Sequence, residues 1–223
     1  AAEQGIVKMV HISAIGANAN SESNYSQTKA QGEAGVLAHM PDAIILRPSV
    51  VFGTEDEFFN RFAGMTRMGP VLPLVGAETK FQPVHVDDVA KAAELAVTTD
   101  VAAGVYELGG PDVASLRDLM GTMLGIIRRR RLVLNMPFFA ASIMAFFFEV
   151  GGKLTFGIAP VLVTRDQVKN LAIDNVVTDD VKGFADLGIE PVAMGAILPD
   201  YLWRFRPTGQ YDAIKESAKN LRA

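Results

Sequence analysis

The sequence predicts an α/β fold, with a doubly wound parallel sheet over residues 1–110 and a smaller, mainly helical unit over residues 111–223. Three observations support this prediction. Short apolar runs alternate with segments of helical length up to about residue 127. Hydrophobic residues make up 49% of the chain, which is enough for a core without a metal or disulfide. From Arg128 onward the alternation stops and the pattern becomes irregular.

The elements follow from the apolar runs and the residues that bound them. Ser21 or Ser23 can cap the first helix, Gly69-Pro70 ends the second, and Asp87 can cap the third. The predicted strands are 6–12, 43–46, 81–86 and 105–108, and the predicted helices are 25–38, 56–68, 89–97 and 115–127.

The segment from Arg128 to Phe148 allows two interpretations. Four arginines precede a mostly apolar stretch that Asn135 and Pro137 interrupt, which argues against one straight membrane-spanning helix. A buried lid helix is the first interpretation. The second is a monotopic contact in which Phe146 and its neighbours enter lipid while the arginines meet the headgroups, so that residues 128–148 bind a membrane surface.

Composition excludes several classes of protein. The formal net charge of −4 argues against a general polyanion binder, so no nucleic-acid partner is expected. The absence of cysteine excludes a disulfide scaffold, an iron–sulfur site and a thiol nucleophile. Asp87 and Asp88 have no third ligand at useful spacing, so no metal site is expected either.

The residues that carry chemistry are Tyr25 and Lys29, which lie one turn apart on one face of the first predicted helix. A phenol and an ammonium in this arrangement suit proton transfer to or from a hydroxyl or carbonyl, because a nearby cation favours the phenolate and lowers the phenol pKa. Ser13, at the end of the preceding strand, can hold the reacting oxygen.

A glycine-rich phosphate loop is not found in this sequence. Neither G-x-G-x-x-G nor G-x-x-x-x-G-K-[ST] occurs, although a nucleotide-binding sheet normally opens with such a turn. The register of the chain therefore predicts that the front of the nucleotide-binding domain is absent.

The order of these motifs resembles the short-chain dehydrogenase/reductase superfamily, in its extended and atypical branch, with a Rossmann-like sheet. Ser13-Ala14-Ile15-Gly16, Tyr25 and Lys29 resemble its catalytic Ser, Tyr and Lys. The run from Arg47 to Gly53 is similar to the segment beside the nicotinamide in epimerase/dehydratase relatives, which implies that Arg47, Pro48, Ser49 and Val50 bind the cofactor with Tyr25 and Lys29. The resemblance begins near the fourth helix of the family fold and implies about a hundred missing upstream residues.

Several segments are similar to one subgroup, the 39 kDa (alpha-9) accessory subunits of respiratory complex I and their bacterial relatives. They are Glu55 to Ala63, Met68 to Pro70, Gln82 to Val84, Thr164 to Val168 and Asp186 to Ile189. This similarity implies binding of NADP or NAD, complex I subunits as partners, and a peripheral location. That location is the cytoplasmic face of a bacterial inner membrane or the matrix side of a mitochondrial one.

Two functions follow. The first is an NAD(P)H-binding accessory subunit of NADH:ubiquinone oxidoreductase (complex I), in which the nucleotide is structural or regulatory. The alternative is an active NAD(P)-dependent oxidoreductase or epimerase acting on a lipophilic alcohol, ketone or quinone. In that enzyme Tyr25 is the acid/base, Lys29 lowers its pKa, and Ser13 polarises the substrate oxygen.

Overall fold

The computed structural model describes residues 2–154, 164–209 and 211. The strands in chain order are β1 (Val10–Ile12), β2 (Ile44–Pro48), β3 (Val51–Phe52), β4 (Val71–Val75), β5 (Lys80–Phe81), β6 (Val84–His85), β7 (Gly104–Leu108), β8 (Ala114–Ser115) and β9 (Leu132–Met136). The helices are α1 (Asn24–His39), α2 (Phe59–Met65), α3 (Val86–Thr98), α4 (Leu116–Ile126), α5 (Phe138–Leu154), α6 (Arg165–Asn170) and α7 (Met194–Leu202). The predicted α/β class is confirmed.

A parallel sheet in the order β1-β2-β7 forms the centre of the fold. β2 is buried along nearly its whole length, as expected for a central strand that is covered on both faces. The register continues beyond the strand ends, because Ser13 N donates to Leu46 O (2.7 Å) and Ser49 N donates to Leu108 O (2.9 Å). The carboxyl ends of the three strands therefore meet at one edge.

The two larger hydrophobic clusters among the described residues pack around these elements. One is centred on β2, β7 and α3, and the other on α2, β4, α4 and α7. Both cores draw on residues before and after residue 110, through Phe184 in the first and Phe59 and Leu72 in the second. The division into domains 1–110 and 111–223 stays a prediction.

A close approach between two chain segments requires a glycine at the end of β7. A Cβ added to Gly110 would lie 2.0 Å from the carbonyl oxygen of Pro83. Gln82 occupies the space beside Gly109 and donates its amide to Gly110 O (2.8 Å) while accepting from Val177 N (3.0 Å). These contacts explain why Gln82-Pro83 and the glycine pair occur together.

The structure corrects two sequence expectations. The segment after the arginines is not a helix from its start, since Leu132–Met136 pairs in parallel with β4 as β9 and the helix begins only at Phe138. Asp87 does not cap α3, which begins at Val86. Instead the buried Asp88 carboxylate accepts from Lys91 Nζ (3.1 Å) and Val192 N (2.8 Å). A strand as short as β9 cannot be distinguished from part of a helix by its apolar pattern alone.

Candidate functional site

Ser13 lies at the carboxyl edge of the parallel sheet, where open α/β sheets bind ligands. It follows β1 directly and is only 3% exposed. Its buried hydroxyl oxygen has no hydrogen bond within ordinary geometric limits in the described part of the chain, although it lies close enough to the Glu33 carboxylate to help lower the pKa of Glu33. A buried hydroxyl is normally satisfied, and for Ser13 the Glu33 carboxylate is the nearby acceptor.

Tyr25 and Lys29 lie on adjacent turns of α1, as the sequence predicts. The ammonium of Lys29 lies 5.8 Å from the centroid of the Tyr25 ring, within the range of a cation–π contact. Tyr25 is 48% exposed, so its side chain is open to solvent rather than enclosed in the core. The pair therefore remains accessible to a ligand.

The predicted direction of the Tyr25 pKa is wrong. Partial burial raises the pKa of the phenol above its ordinary value of 10.0. The cation does not reverse this effect, because it contacts the ring face and no hydrogen bond joins it to the phenol oxygen in the described residues. Near neutral pH the phenol is therefore protonated and acts as a hydrogen-bond donor.

Arg47 is engaged in a buried ionic cluster instead of pointing to open solvent. Its guanidinium donates twice to the Glu33 carboxylate of α1 (2.8 and 2.6 Å) and lies 3.6 Å from Glu107 on β7. Burial raises the pKa of Glu33, but the hydrogen bond and charge of Arg47, together with Ser13 and His11, hold that pKa below the ordinary value. The cluster joins α1, β2 and β7 beneath the sheet edge.

The predicted cofactor segment Pro48, Ser49 and Val50 is anchored at this edge by Asn175, a residue that sequence reasoning missed. The Asn175 side-chain oxygen accepts from Ser49 Oγ (2.6 Å) and from Val50 N (3.0 Å). Pro48 O accepts from Ile15 N (3.0 Å). No pattern in the sequence singles out Asn175, because its role depends on a contact across 125 positions.

Asp166 is a second residue that sequence reasoning did not place at the site. Its carboxylate accepts from Asn24 N (2.7 Å), Tyr25 N (3.1 Å) and Ser23 Oγ (3.0 Å), at the N-terminus of α1. Burial opposes ionisation, but these hydrogen bonds lower the Asp166 pKa. The available signal was the capping box formed by Thr164 and Gln167, which predicts a helix start at this point.

Five arginines form a group that we call the arginine cluster: Arg67, Arg129, Arg131, Arg204 and Arg206. Within the described residues, none of them forms an ion pair with a carboxylate. Their guanidiniums donate to neutral acceptors: Arg204 O, Phe205 O, Thr66 O, Thr54 O, the Asn60 amide oxygen and Ile126 O. Partial burial, and then the neighbouring cations, lower the pKa of Arg129.

The helix that follows β9 exposes apolar side chains that we call the apolar stripe: Phe139, Ile143, Phe146 and Phe147. Their spacing places them on one face of α5, and Phe139 is 71% exposed. The opposite face is buried through Ala141 and Ala145. In the part of the chain that the structure covers, no helix is both long and apolar enough to cross a bilayer. The side chain of Phe148 lies outside the described residues.

Comparison with known proteins gives a consistent result. The family model described as the RmlD substrate binding domain matches residues 16–125. The chain is 34% identical over 210 residues (92% of the chain, 52% of the relative) to the NADH dehydrogenase [ubiquinone] 1 alpha subcomplex subunit 9 of Arabidopsis thaliana. It is 35% identical over 197 residues (86% and 50%) to the protein of the same name in Mus musculus.

A solved structure shares the fold. The dTDP-glucose 4,6-dehydratase DesIV from Streptomyces venezuelae, crystallised with NAD, superposes with a TM-score of 0.63 at 17% identity, covering 94% of this chain and 63% of that one. The chain spans about half the length of the curated relatives it matches.

Proposed function

We propose that this chain is part of a complex I accessory subunit that holds a nicotinamide dinucleotide. The chain belongs to the extended short-chain dehydrogenase/reductase superfamily and is a homologue of the alpha subcomplex subunit 9 proteins of NADH dehydrogenase. The observation that carries this proposal is the similarity to these subunits over 92% of the chain. The geometry of Ser13, Tyr25 and Lys29 supports the dinucleotide part of it.

The residues at the sheet edge fit a dinucleotide. We place three hydrogen-bond donors around the dinucleotide: the Ser13 hydroxyl after β1, and the protonated phenol of Tyr25 and the ammonium of Lys29 on α1. When bound, the group supplies hydride chemistry or, in a structural role, binding energy. Either NAD or NADP can occupy such an edge.

The segment 47–50 supports the same site in two ways. We place the backbone of Pro48, Ser49 and Val50 beside the cofactor, held in position by Asn175. The guanidinium of Arg47 forms ion pairs with Glu33 and Glu107. We therefore propose that Arg47 fixes β2 relative to α1 and does not contact the cofactor.

The raised pKa of Tyr25 keeps its phenol protonated, which suits it as a hydrogen-bond donor to a ligand or as a proton donor in a reduction. A general base works best when its pKa lies near the operating pH, and this phenol is far from that condition without its ligand. The alternative of an active oxidoreductase or epimerase has no comparable support from the relatives. Its test is nicotinamide turnover that disappears in Tyr25→Phe.

The C-terminal part would supply the partner-facing surface. We propose that residues 1–110 form the nucleotide-binding domain and that residues 111–223 contact complex I subunits and the membrane surface. The arginine cluster offers uncompensated cations for anionic headgroups, and the apolar stripe offers side chains for the lipid boundary. The location would be peripheral, on the cytoplasmic face of a bacterial inner membrane or on the matrix side.

The test is assembly of the full-length protein. An affinity-tagged copy is purified in mild detergent, resolved by native electrophoresis, and its co-migrating proteins are identified by mass spectrometry. We expect co-migration with NADH dehydrogenase subunits and a loss of assembled complex when the gene is deleted. A tagged protein that migrates alone, with normal complex I in the deletion strain, would contradict the proposal.

A further inference from the structure

The N-terminus of α1 is held by a helix far away in the sequence. Asp166 lies 141 positions after Tyr25, yet its carboxylate oxygens accept hydrogen bonds from the backbone N–H groups of Asn24 and Tyr25 and from the Ser23 hydroxyl. The first N–H groups of a helix have no partner within the helix itself. Asp166 supplies partners that the local sequence leaves absent.

The rest of α6 reinforces this attachment. Lys169 Nζ donates to Glu22 O (3.0 Å), and Asn170 Oδ1 accepts from Ser26 Oγ (3.4 Å). Asp166, Lys169 and Asn170 are spaced i, i+3 and i+4, so they share one face of α6. This face meets the turn of α1 that carries Tyr25.

The other face of α6 packs against α5. Val168 is 3% exposed and belongs to a small core with Val75, Ala141 and Ala145. Arg165 lies over the Phe146 ring, 5.4 Å from its centroid. α6 therefore connects the helix that carries the apolar stripe with the helix that carries Tyr25 and Lys29.

We propose that Asp166 is a positioning residue of the dinucleotide site, which fixes the first turn of α1 and with it the orientation of the Tyr25 side chain. The position of the Tyr25 side chain matters before any ligand is bound, because a displacement of about 1 Å at a group that binds a ligand can strongly weaken its interaction. A carboxylate suits the role, since its two oxygens accept three donors, whereas an amide has one acceptor oxygen. This inference rests on the proposed dinucleotide function.

The test uses Asp166→Asn, with Asp166→Ala as a second variant. Asp186→Asn is the matched control, because the Asp186 carboxylate also accepts a backbone N–H, from Gly183 (2.7 Å), but within its own segment. Tyrosines labelled with ¹³C at Cζ report each phenol separately by NMR. The amide exchange rates of Asn24 and Tyr25 are measured on the same samples.

We expect both Asp166 variants to speed amide exchange at Asn24 and Tyr25 about fivefold and to move the Tyr25 titration toward its ordinary range. The Tyr201 signal in the Asp166 variants, and the exchange rates and titrations in Asp186→Asn, should match those of wild type. A loss of overall stability would change them as well. Unchanged exchange and titration in folded Asp166→Asn or Asp166→Ala protein would overturn the proposal.

Dinucleotide affinity of the full-length protein separates the two claims. If Asp166→Asn weakens NADPH binding about fivefold while Asp186→Asn does not, positioning and function are both supported. If the Tyr25 signals move but neither Asp166→Asn nor Tyr25→Phe changes NADPH binding, the proposed function fails. Asp166 then positions Tyr25 but is not part of a dinucleotide site, so the inference fails too. If Tyr25→Phe weakens binding but Asp166→Asn does not, only the positioning role fails.

Discussion

The edge of the sheet near Tyr25 and the arginine cluster differ in how their charges are compensated. At the edge, Arg47 lies between two glutamates and Asp166 accepts three hydrogen bonds. In the cluster, five guanidiniums donate to neutral acceptors, and within the described residues no carboxylate pairs with them. The compensated charges of the first region hold its conformation, whereas the second region keeps a positive charge that an anionic partner can bind.

The largest difference should appear when the ionic cluster is broken. Arg47→Ala leaves Glu33 and Glu107 buried without their cation, which should lower the free energy of unfolding by about 3 kcal/mol. Chemical denaturation measures this loss. Arg117→Ala removes an ion pair with Glu78 in which both side chains are exposed, so it should cost less than about 1 kcal/mol. Equal losses in the two variants would show that burial does not increase the contribution of the Arg47 ion pairs to the free energy of unfolding.

The apolar stripe should behave in the opposite way. Phe139→Ser combined with Phe147→Ser removes side chains that are already exposed, so the midpoint of unfolding should hardly change. Binding to liposomes containing anionic lipid should fall about thirtyfold, as measured by flotation. Val97→Ser with Val113→Ser changes two apolar residues elsewhere that are more than half exposed and serves as the control. Identical flotation of the two double variants would show that the apolar stripe does not contact the membrane surface.

The arginine cluster should contribute less per residue. Arg131→Gln or Arg206→Gln should weaken binding to the same liposomes about fivefold, because one basic residue near an anionic surface contributes about 1 kcal/mol. The difference from wild type should disappear at about 1 M salt, where charges are screened within about 3 Å. An effect that persists at high salt would indicate a packing role instead.

The smallest effect concerns pH. Because Arg47 holds the folded-state pKa of Glu33 below its unfolded value, the ion pair stabilises the fold above about pH 4 and this contribution is lost as pH falls through the folded-state value. Unfolding measured between pH 3 and 6 should show a steeper loss in wild type than in Glu33→Gln. Parallel curves for the two proteins would contradict the lowered pKa.

The comparison also shows what a sequence can reveal. The strands around the site and the Tyr25–Lys29 pair follow from local patterns, because a helix places positions i and i+4 together whatever the tertiary structure. The Tyr25 pKa, the partners of Arg47, and the roles of Asn175 and Asp166 depend on contacts between distant segments. Apolar periodicity cannot specify such contacts.

The segment 128–148 illustrates the same limit from the other side. Its composition left a buried lid helix and an exposed lipid contact both open. The structure exposes the apolar stripe, and the composition indicates neither β9 nor the start of α5 at Phe138. The strand forms because Val71 to Val75 offers a parallel partner, which lies about 60 positions earlier in the chain. Local sequence contains no information about that partner.

The most direct measurement of the central claim is calorimetric titration of NADPH and NADH into the full-length protein carrying Lys29→Met. Removing the ammonium next to Tyr25 should weaken dinucleotide binding about tenfold with little change in the unfolding midpoint, since in the described part of the chain this ammonium makes one cation–π contact, with a half-exposed ring. Lys91→Met, on α3, should bind as tightly as wild type. Wild-type affinity in Lys29→Met would contradict a dinucleotide site at this edge of the sheet.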